Sequence, residues 1–463
     1  MRTNRLIFVF VLGLLLMAAA TNAQTPQKIV DHGPDGEKRT FVVLGDGYSA
    51  AEQSKFASDV DALLIKGVFG HDFYKDNFAA FNVYRIDLIS PDSGVSTPTF
   101  AKNTALKVIY NGAWNRCWLE ESKTTDALIT KAAAKVPKYD YVLILANETR
   151  YGGCRRGSRL YVTSGSGWNV VAHEYGHAIA GLYDEYSVKG AGPYNQDPVN
   201  VNNCSTVSDR NSVVWHELID TNTTVPSDNL HNIDANNTVG EFTGCNYNET
   251  KIYRPVRTCR MNSVNQYFCP VCLGLMHDVL APFLTSAASP PPGDVSGQSA
   301  EALGEGKFMN IVVRISRNQE PSILKATEIT GRLVSSQQAA PPYFFTFNKD
   351  AATNYADFVP EDPYLVRGFA DPEHPEQGEK FLQADSTTII VNVPRTDIAS
   401  ATHDLSMRLY KVGPVAIGQY KSPRSSDLAL VDRLIHSQGV TKELDLSKAA
   451  LGSAIQAVGP KKN

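Results

Sequence analysis

The densest chemistry in this chain lies in Val170-Val171-Ala172-His173-Glu174-Tyr175-Gly176-His177-Ala178-Ile179-Ala180-Gly181-Leu182-Tyr183-Asp184-Glu185-Tyr186. On a helix, residues four apart sit one turn above each other on the same face. His173 and His177 can therefore aim both imidazoles at a single Zn2+, about 2.0–2.1 Å from each nitrogen. Glu174 stands one step round the helix, beside the metal's open position, where a carboxylate can take a proton from bound water. The alternative is an amphipathic helix carrying two half-buried histidines and a solvated glutamate. The chain has only ten histidines in 463 residues, so this spacing seldom arises by chance. Val170, Val171, Ala172, Ala178, Ile179 and Leu182 supply the apolar side of a buried helix, unbroken before Gly181.

A third ligand must come from nearby. Asp184 lies seven residues after His177, close to the same helical face, but a continuous helix would carry it about 10 Å along the axis. The chain therefore has to turn back soon after His177. Gly181 can do this, because glycine adopts the left-handed conformation that ends helices. Asp184 is the expected third ligand, with Glu185 the alternative.

This logic resembles the metzincins, whose longer motif H-E-x-x-H-x-x-G-x-x-H/D places a glycine break before the third ligand. Here Gly181 and Asp184 each fall one residue later. H-E-x-G-H followed by L-x-D-E-Y resembles more closely the IgA-peptidase-type metallopeptidases, a zincin family. Val43-Leu44-Gly45-Asp46-Gly47-Tyr48-Ser49, Phe81-Asn82-Val83-Tyr84-Arg85, Tyr151-Gly152-Gly153 and Phe268-Cys269-Pro270-Val271-Cys272 share the resemblance, which covers roughly residues 33–285. It implies a zincin-like catalytic domain. It also implies that Met261, in Thr258-Cys259-Arg260-Met261-Asn262-Ser263, is the methionine forming an apolar floor beneath the zinc. An ordinary core methionine would suit the same sequence.

The elements that must position these residues are legible as runs. Thr40–Leu44 reads as a strand, and Ser49-Ala50-Ala51-Glu52 as a capping box that starts a helix reaching about Lys66. Strands are expected over 81–89 and 139–146, with a helix over 123–135 between them. This alternation indicates a mixed, largely parallel sheet. Ser158–Thr163 reads as a short strand, which the zincin resemblance implies is a sheet edge along the cleft, able to bind an extended peptide by strand addition. Residues 187–255, rich in Asn, Asp and Ser, read as irregular cleft wall, and 270–284 as a helix.

Beyond 285 the period changes. Residues 286–305 read as a linker around Pro290-Pro291-Pro292-Gly293. Residues 306–463 carry β-branched strand candidates at 308–315, 323–334, 386–393 and 405–412. The expected architecture is an α+β zincin-like catalytic domain (24–285, mixed sheet plus active-site helix) followed by an all-β sandwich. The sandwich carries no catalytic constellation and reads as an accessory domain whose ligand the sequence leaves open.

Composition excludes several classes. The net charge is −4, with 43% hydrophobic and 20% charged residues, ordinary for a globular protein, and no basic patch points to nucleic acid. Met1-Arg2-Thr3-Asn4-Arg5, the apolar run Leu6–Ala20 and small residues at Thr21-Asn22-Ala23 form a signal peptide over 1–23. After its cleavage no stretch is apolar enough to span a bilayer. Seven cysteines in an exported chain favour disulfides, with at least one thiol left over or paired between chains. Cys269-Pro270-Val271-Cys272 could be half a second zinc site or a redox motif, but no second C-x-x-C accompanies it, and export favours disulfides of undetermined connectivity over a metal. A serine hydrolase is excluded, since Gly47 occupies the place a nucleophile would need and Ser164-Gly165-Ser166-Gly167 lacks a leading glycine.

The reading is an exported zinc endopeptidase acting on protein or peptide. His173, His177 and Asp184 hold Zn2+, a metal-activated water attacks, and Glu174 is the general base. The alternative is a catalytically silent exported zincin-fold protein used for binding or adhesion. Tyr186 and Tyr267 stand near the motifs as candidate oxyanion stabilisers, with nothing to choose between them.

Overall fold

Runs of β-branched and aromatic residues alternate with helices in the first half of the chain, and in the computed structural model they assemble one sheet. The structure describes residues 25–111, 119–187 and 202–284, and in the C-terminal region 302–317, 319–334, 343–349, 352–359, 363–368, 382–395, 405–412, 428–437, 440–446 and 451. The expected signal peptide at 1–23 lies outside these residues, as do Cys117 and nearly all of the expected linker.

Strands β1 (Gln27–Val30), β2 (Arg39–Asp46), β3 (Phe81–Ile86), β4 (Tyr141–Ala146), β5 (Gly153–Arg156) and β6 (Arg159–Thr163) lie in the spatial order β1-β3-β2-β4-β6-β5. The four inner strands are parallel, while β1 and β5 run antiparallel to their neighbours. β2 and β4 are central and covered on both faces, which is why they read as continuous apolar runs.

Alternation along each strand divides the interior in two. Phe41, Val43, Leu143, Leu145, Leu160 and Val162 face one cluster, and Val42, Leu44, Val142, Ile144 and Tyr161 face the other. Helix α1 (Gln53–Val60) begins behind the Ser49/Glu52 capping box, in which the Glu52 carboxylate accepts the Ser49 N–H at 2.9 Å. Helix α2 (Lys123–Ala133) packs Ile129 and Ala132 on the second face. Helix α3 (Trp168–Ala180), which carries His173 and His177, packs on the first with α4 (Pro270–Leu284).

One expectation fails here. β6 is not an edge: β5 folds back along it, pairing Gly153 with Val162 and Arg156 with Arg159. The two-residue link Gly157-Ser158 makes this hairpin, with Gly157 at φ 55°. Leu365–Gly368 then pairs onto β5 and Leu382–Gln383 extends it, giving an eight-stranded sheet. The backbone groups of β6 are therefore spent on neighbours at both sides. Gly153-Cys154-Arg155-Arg156 lacks β-branched residues, so its strand character is invisible in composition.

The stretch 187–255 also holds more structure than its composition suggests. β7 (Phe242–Cys245) and β8 (Asn248–Arg254) form a hairpin turned by Asn246 and Tyr247, both at positive φ (46° and 67°). Farther on, 302–316 pairs with 322–334 and 386–394, and 343–349 with 352–359 and 405–412. These two antiparallel sheets share buried side chains including Ile311, Val313, Phe345, Phe347, Val391 and Met407. Among the described residues no helix is long and apolar enough to cross a membrane.

At the end of β2, buried Asp46 accepts the Leu106 N–H (2.8 Å), the Val108 N–H (2.9 Å) and the Thr104 hydroxyl (3.0 Å). Asp46→Ala strands these donors at a cost of about 1–3 kcal/mol each. Chemical denaturation should show a loss on the order of 3 kcal/mol. A loss below about 1 kcal/mol would mean that the loop is held by other contacts.

Candidate metal centre

Helix α3 ends where the chain needs to turn. Gly181 is its C-cap in the left-handed region (φ 58°, ψ 31°), and its N–H donates to the His177 carbonyl at 2.9 Å. The next residues run back beside the helix. Asp184 Oδ1 comes to 3.1 Å from His173 Nε2 and 3.2 Å from His177 Nε2, while the two Nε2 atoms lie 2.9 Å apart. All three residues are buried.

The far sides of the rings fix their tautomers. His173 Nδ1 lies 3.0 Å from the Arg260 carbonyl, and His177 Nδ1 lies 2.5 Å from the Leu182 carbonyl. A carbonyl only accepts, so each Nδ1 carries the proton, and in the neutral ring, the form that binds a metal, each Nε2 turns a lone pair inward. Two such neutral rings cannot hydrogen-bond to each other across 2.9 Å. The meeting of two imidazole nitrogens and a carboxylate oxygen calls for a cation. Edges of 2.9–3.2 Å approach the roughly 3.3 Å between ligands held 2.0–2.1 Å from a tetrahedral ion. The donor set suits Zn2+.

Asp184 is itself held from behind. Its carbonyl accepts the Asn246 N–H at 2.8 Å, and its Oδ2 accepts the Tyr247 hydroxyl. The disulfide Cys204–Cys245 lies next to this turn. Asn203 grips the adjacent backbone, accepting the Tyr183 N–H and donating to the Tyr183 carbonyl, both at 2.8 Å. Sequence reasoning passed over both Tyr247 and Asn203. Tyr247 is remote in sequence from Asp184 and carries no local signal, and Asn203, which opens a glycosylation sequon, is fully buried.

Glu185, the alternative third ligand, is not in the group with the histidines. It lies in a separate buried group with Cys259, Cys269 and Cys272. The three cysteines are free thiols, so the general expectation of disulfides does not extend to Cys259, Cys269 and Cys272. Glu174 is fully buried on α3 beside the histidines. Met261 is buried under the same helix: a Cβ on Gly176 would lie 3.0 Å from Met261 Sδ and 3.1 Å from Phe268. Glycine at 176 is thus what lets the floor approach. Tyr186 packs edge-on to Tyr247 at 5.1 Å, while Tyr267 is exposed on a groove of about 860 Å3 whose lining includes none of His173, Glu174, His177 and Asp184.

Residues 28–233 match the family model described as IgA Peptidase M64. Over this stretch, less than half of the chain, the sequence is similar to the M64 family. The M64 peptidases are metallopeptidases. The His173, His177 and Asp184 group falls inside the M64 match, whereas Tyr247, Met261 and the three free cysteines lie beyond it. No curated protein matches this chain.

The contact between Gly176 and Met261 makes a coupled prediction. Gly176→Val should overpack the helix against its floor and cost about 1–3 kcal/mol. Adding Met261→Ala to that variant should recover part of the loss, with a coupling of about 1 kcal/mol in a double-mutant cycle. Simple additivity would show that Met261 does not bear on the helix.

Proposed function

We propose that the protein is an exported zinc-dependent endopeptidase in which His173, His177 and Asp184 hold the metal and Glu174 is the general base. The observation that carries this reading is the convergence of three buried lone-pair atoms, two of them fixed as ligands by carbonyls behind the rings. Zinc held there supplies a low-pKa water and a Lewis acid for the scissile carbonyl. Glu174 takes the proton of the attacking water and returns it to the leaving amine. Tyr247 keeps the Asp184 carboxylate aimed, and the Arg260 and Leu182 carbonyls keep the rings turned inward.

A helix bearing H-E-x-x-H on one face of a mixed sheet supports a zincin-like catalytic domain over 24–285. The two C-terminal sheets with their common core support a β-sandwich accessory domain over 306–463, following a linker at 286–305, although its strands at 365–368 and 382–383 join the first sheet. Export is supported by the charged and apolar character of 1–23 and by the disulfide Cys204–Cys245, a bond favoured in oxidising compartments.

A digest of a peptide library with and without chelator tests the activity: metal-dependent cleavage within chains is expected, and cleavage indifferent to chelator would overturn it. Glu174→Gln should keep its metal and lose turnover by at least about 100-fold; a metal-loaded variant with full activity would remove Glu174 from the role of base. Tyr247→Phe should weaken metal binding by about 10-fold or more in chelator competition while the protein stays folded. Unchanged affinity would show that Asp184 needs no such support.

A further inference from the structure

We propose a second metal site, built from Cys259, Cys269, Cys272 and Glu185 and taking a tetrahedral, structural Zn2+. The four residues are fully buried, and one ligand atom from each lies within 4.8 Å of all the others. Cys259 Sγ and Cys272 Sγ are 3.8 Å apart, and Cys272 Sγ is 3.3 Å from Glu185 Oε1. Ligands on a tetrahedral zinc with Zn–S about 2.3 Å and Zn–O about 2.0 Å have edges of roughly 3.8 Å between sulfurs and 3.5 Å from sulfur to oxygen. The observed separations are those of a metal cage. A disulfide would need about 2.05 Å, and would use two of the three thiols and leave the third stranded.

The carboxylate is the independent sign. Glu185 Oε1 accepts the Asn203 amide at 2.9 Å, but Oε2 is buried with no hydrogen-bond partner. Burying a carboxylate oxygen beside three sulfurs is unfavourable unless a cation completes the shell. The Cys269 N–H donates to Cys259 Sγ at 3.3 Å, a bond that favours the thiolate. Thiolate ligands with one carboxylate suit Zn2+, and its binding releases the thiol protons to solvent.

The position gives the ion a task. Glu185 follows Asp184, and the Glu185 N–H donates to the Met261 carbonyl at 2.7 Å. Cys259 precedes Arg260, whose carbonyl orients His173. Cys269 and Cys272 stand at the start of α4. One ion at this point ties the segment carrying the third histidine-site ligand and the segment carrying the floor to a helix of the core.

The test uses the full chain, purified without reductant, and its His173→Ala/His177→Ala variant. Zinc measured by mass spectrometry should be about two per chain in the first and about one in the second. With Co2+ in place of zinc, the histidine variant should still show thiolate-to-cobalt charge-transfer absorption. Alkylation without reductant should label all three thiols once denaturant and chelator are present. The cobalt spectrum and the alkylation need no cysteine variant, so a misfolded mutant cannot decide the matter. Absence of the charge-transfer band, or a disulfide between any two of the three cysteines, overturns the site. The outcomes separate from those of the peptidase reading: if only the histidine site fails, zinc is equal in the two proteins and the band persists; if only the thiolate site fails, zinc falls from one to none and no band appears.

Discussion

Three lone pairs meet where no neutral arrangement of the groups would bring them together. His173 Nε2, His177 Nε2 and Asp184 Oδ1 crowd within 3.2 Å of one another in the protein interior. Carbonyls behind both rings keep the imidazole protons on the outer nitrogens. The arrangement is unfavourable until a cation lies between the atoms, and then every contact becomes attractive. The reversal at Gly181, the turn at Asn246-Tyr247 and the grip of Asn203 all serve to hold this meeting in place.

The reversal also explains why two neighbouring carboxylates have different surroundings. Asp184 faces the histidines, and Glu185 faces the three thiols. The same backbone strip therefore borders two groups of metal-ligand type, and the hydrogen bond from Glu185 to Met261 joins it to the floor under α3. Behind this strip, the parallel sheet provides the rigid surface on which α3 rests, through residues such as Val171, Tyr175 and Ala178.

What the sequence revealed follows from range. His173, Glu174 and His177 are readable because a helix repeats within four residues, and the turn at Gly181 because helix ends have a local glycine signature. The strands 39–46 and 141–146 are readable because central parallel strands are apolar on both faces. Tyr247 and Asn203 were not, since each acts across many residues with no spacing rule to expose it, and of the thiol cluster only the C-x-x-C of Cys269 and Cys272 was visible, its remote partners Cys259 and Glu185 being hidden. The hairpin of β5 and β6 was missed for a different reason. Its outer strand is made of Gly, Cys and Arg, and its partners on the far side come from Leu365–Gly368.

The zinc-peptidase proposal stands or falls on one ion bound between His173, His177 and Asp184. Anomalous diffraction on either side of the zinc absorption edge, from crystals grown without chelator, tests it most directly. A zinc-specific peak is expected about 2.0–2.1 Å from both Nε2 atoms and from an Asp184 oxygen, with both Nδ1 atoms still on their carbonyls. No peak between the histidines, or a peak there with Asp184 turned away, would contradict it.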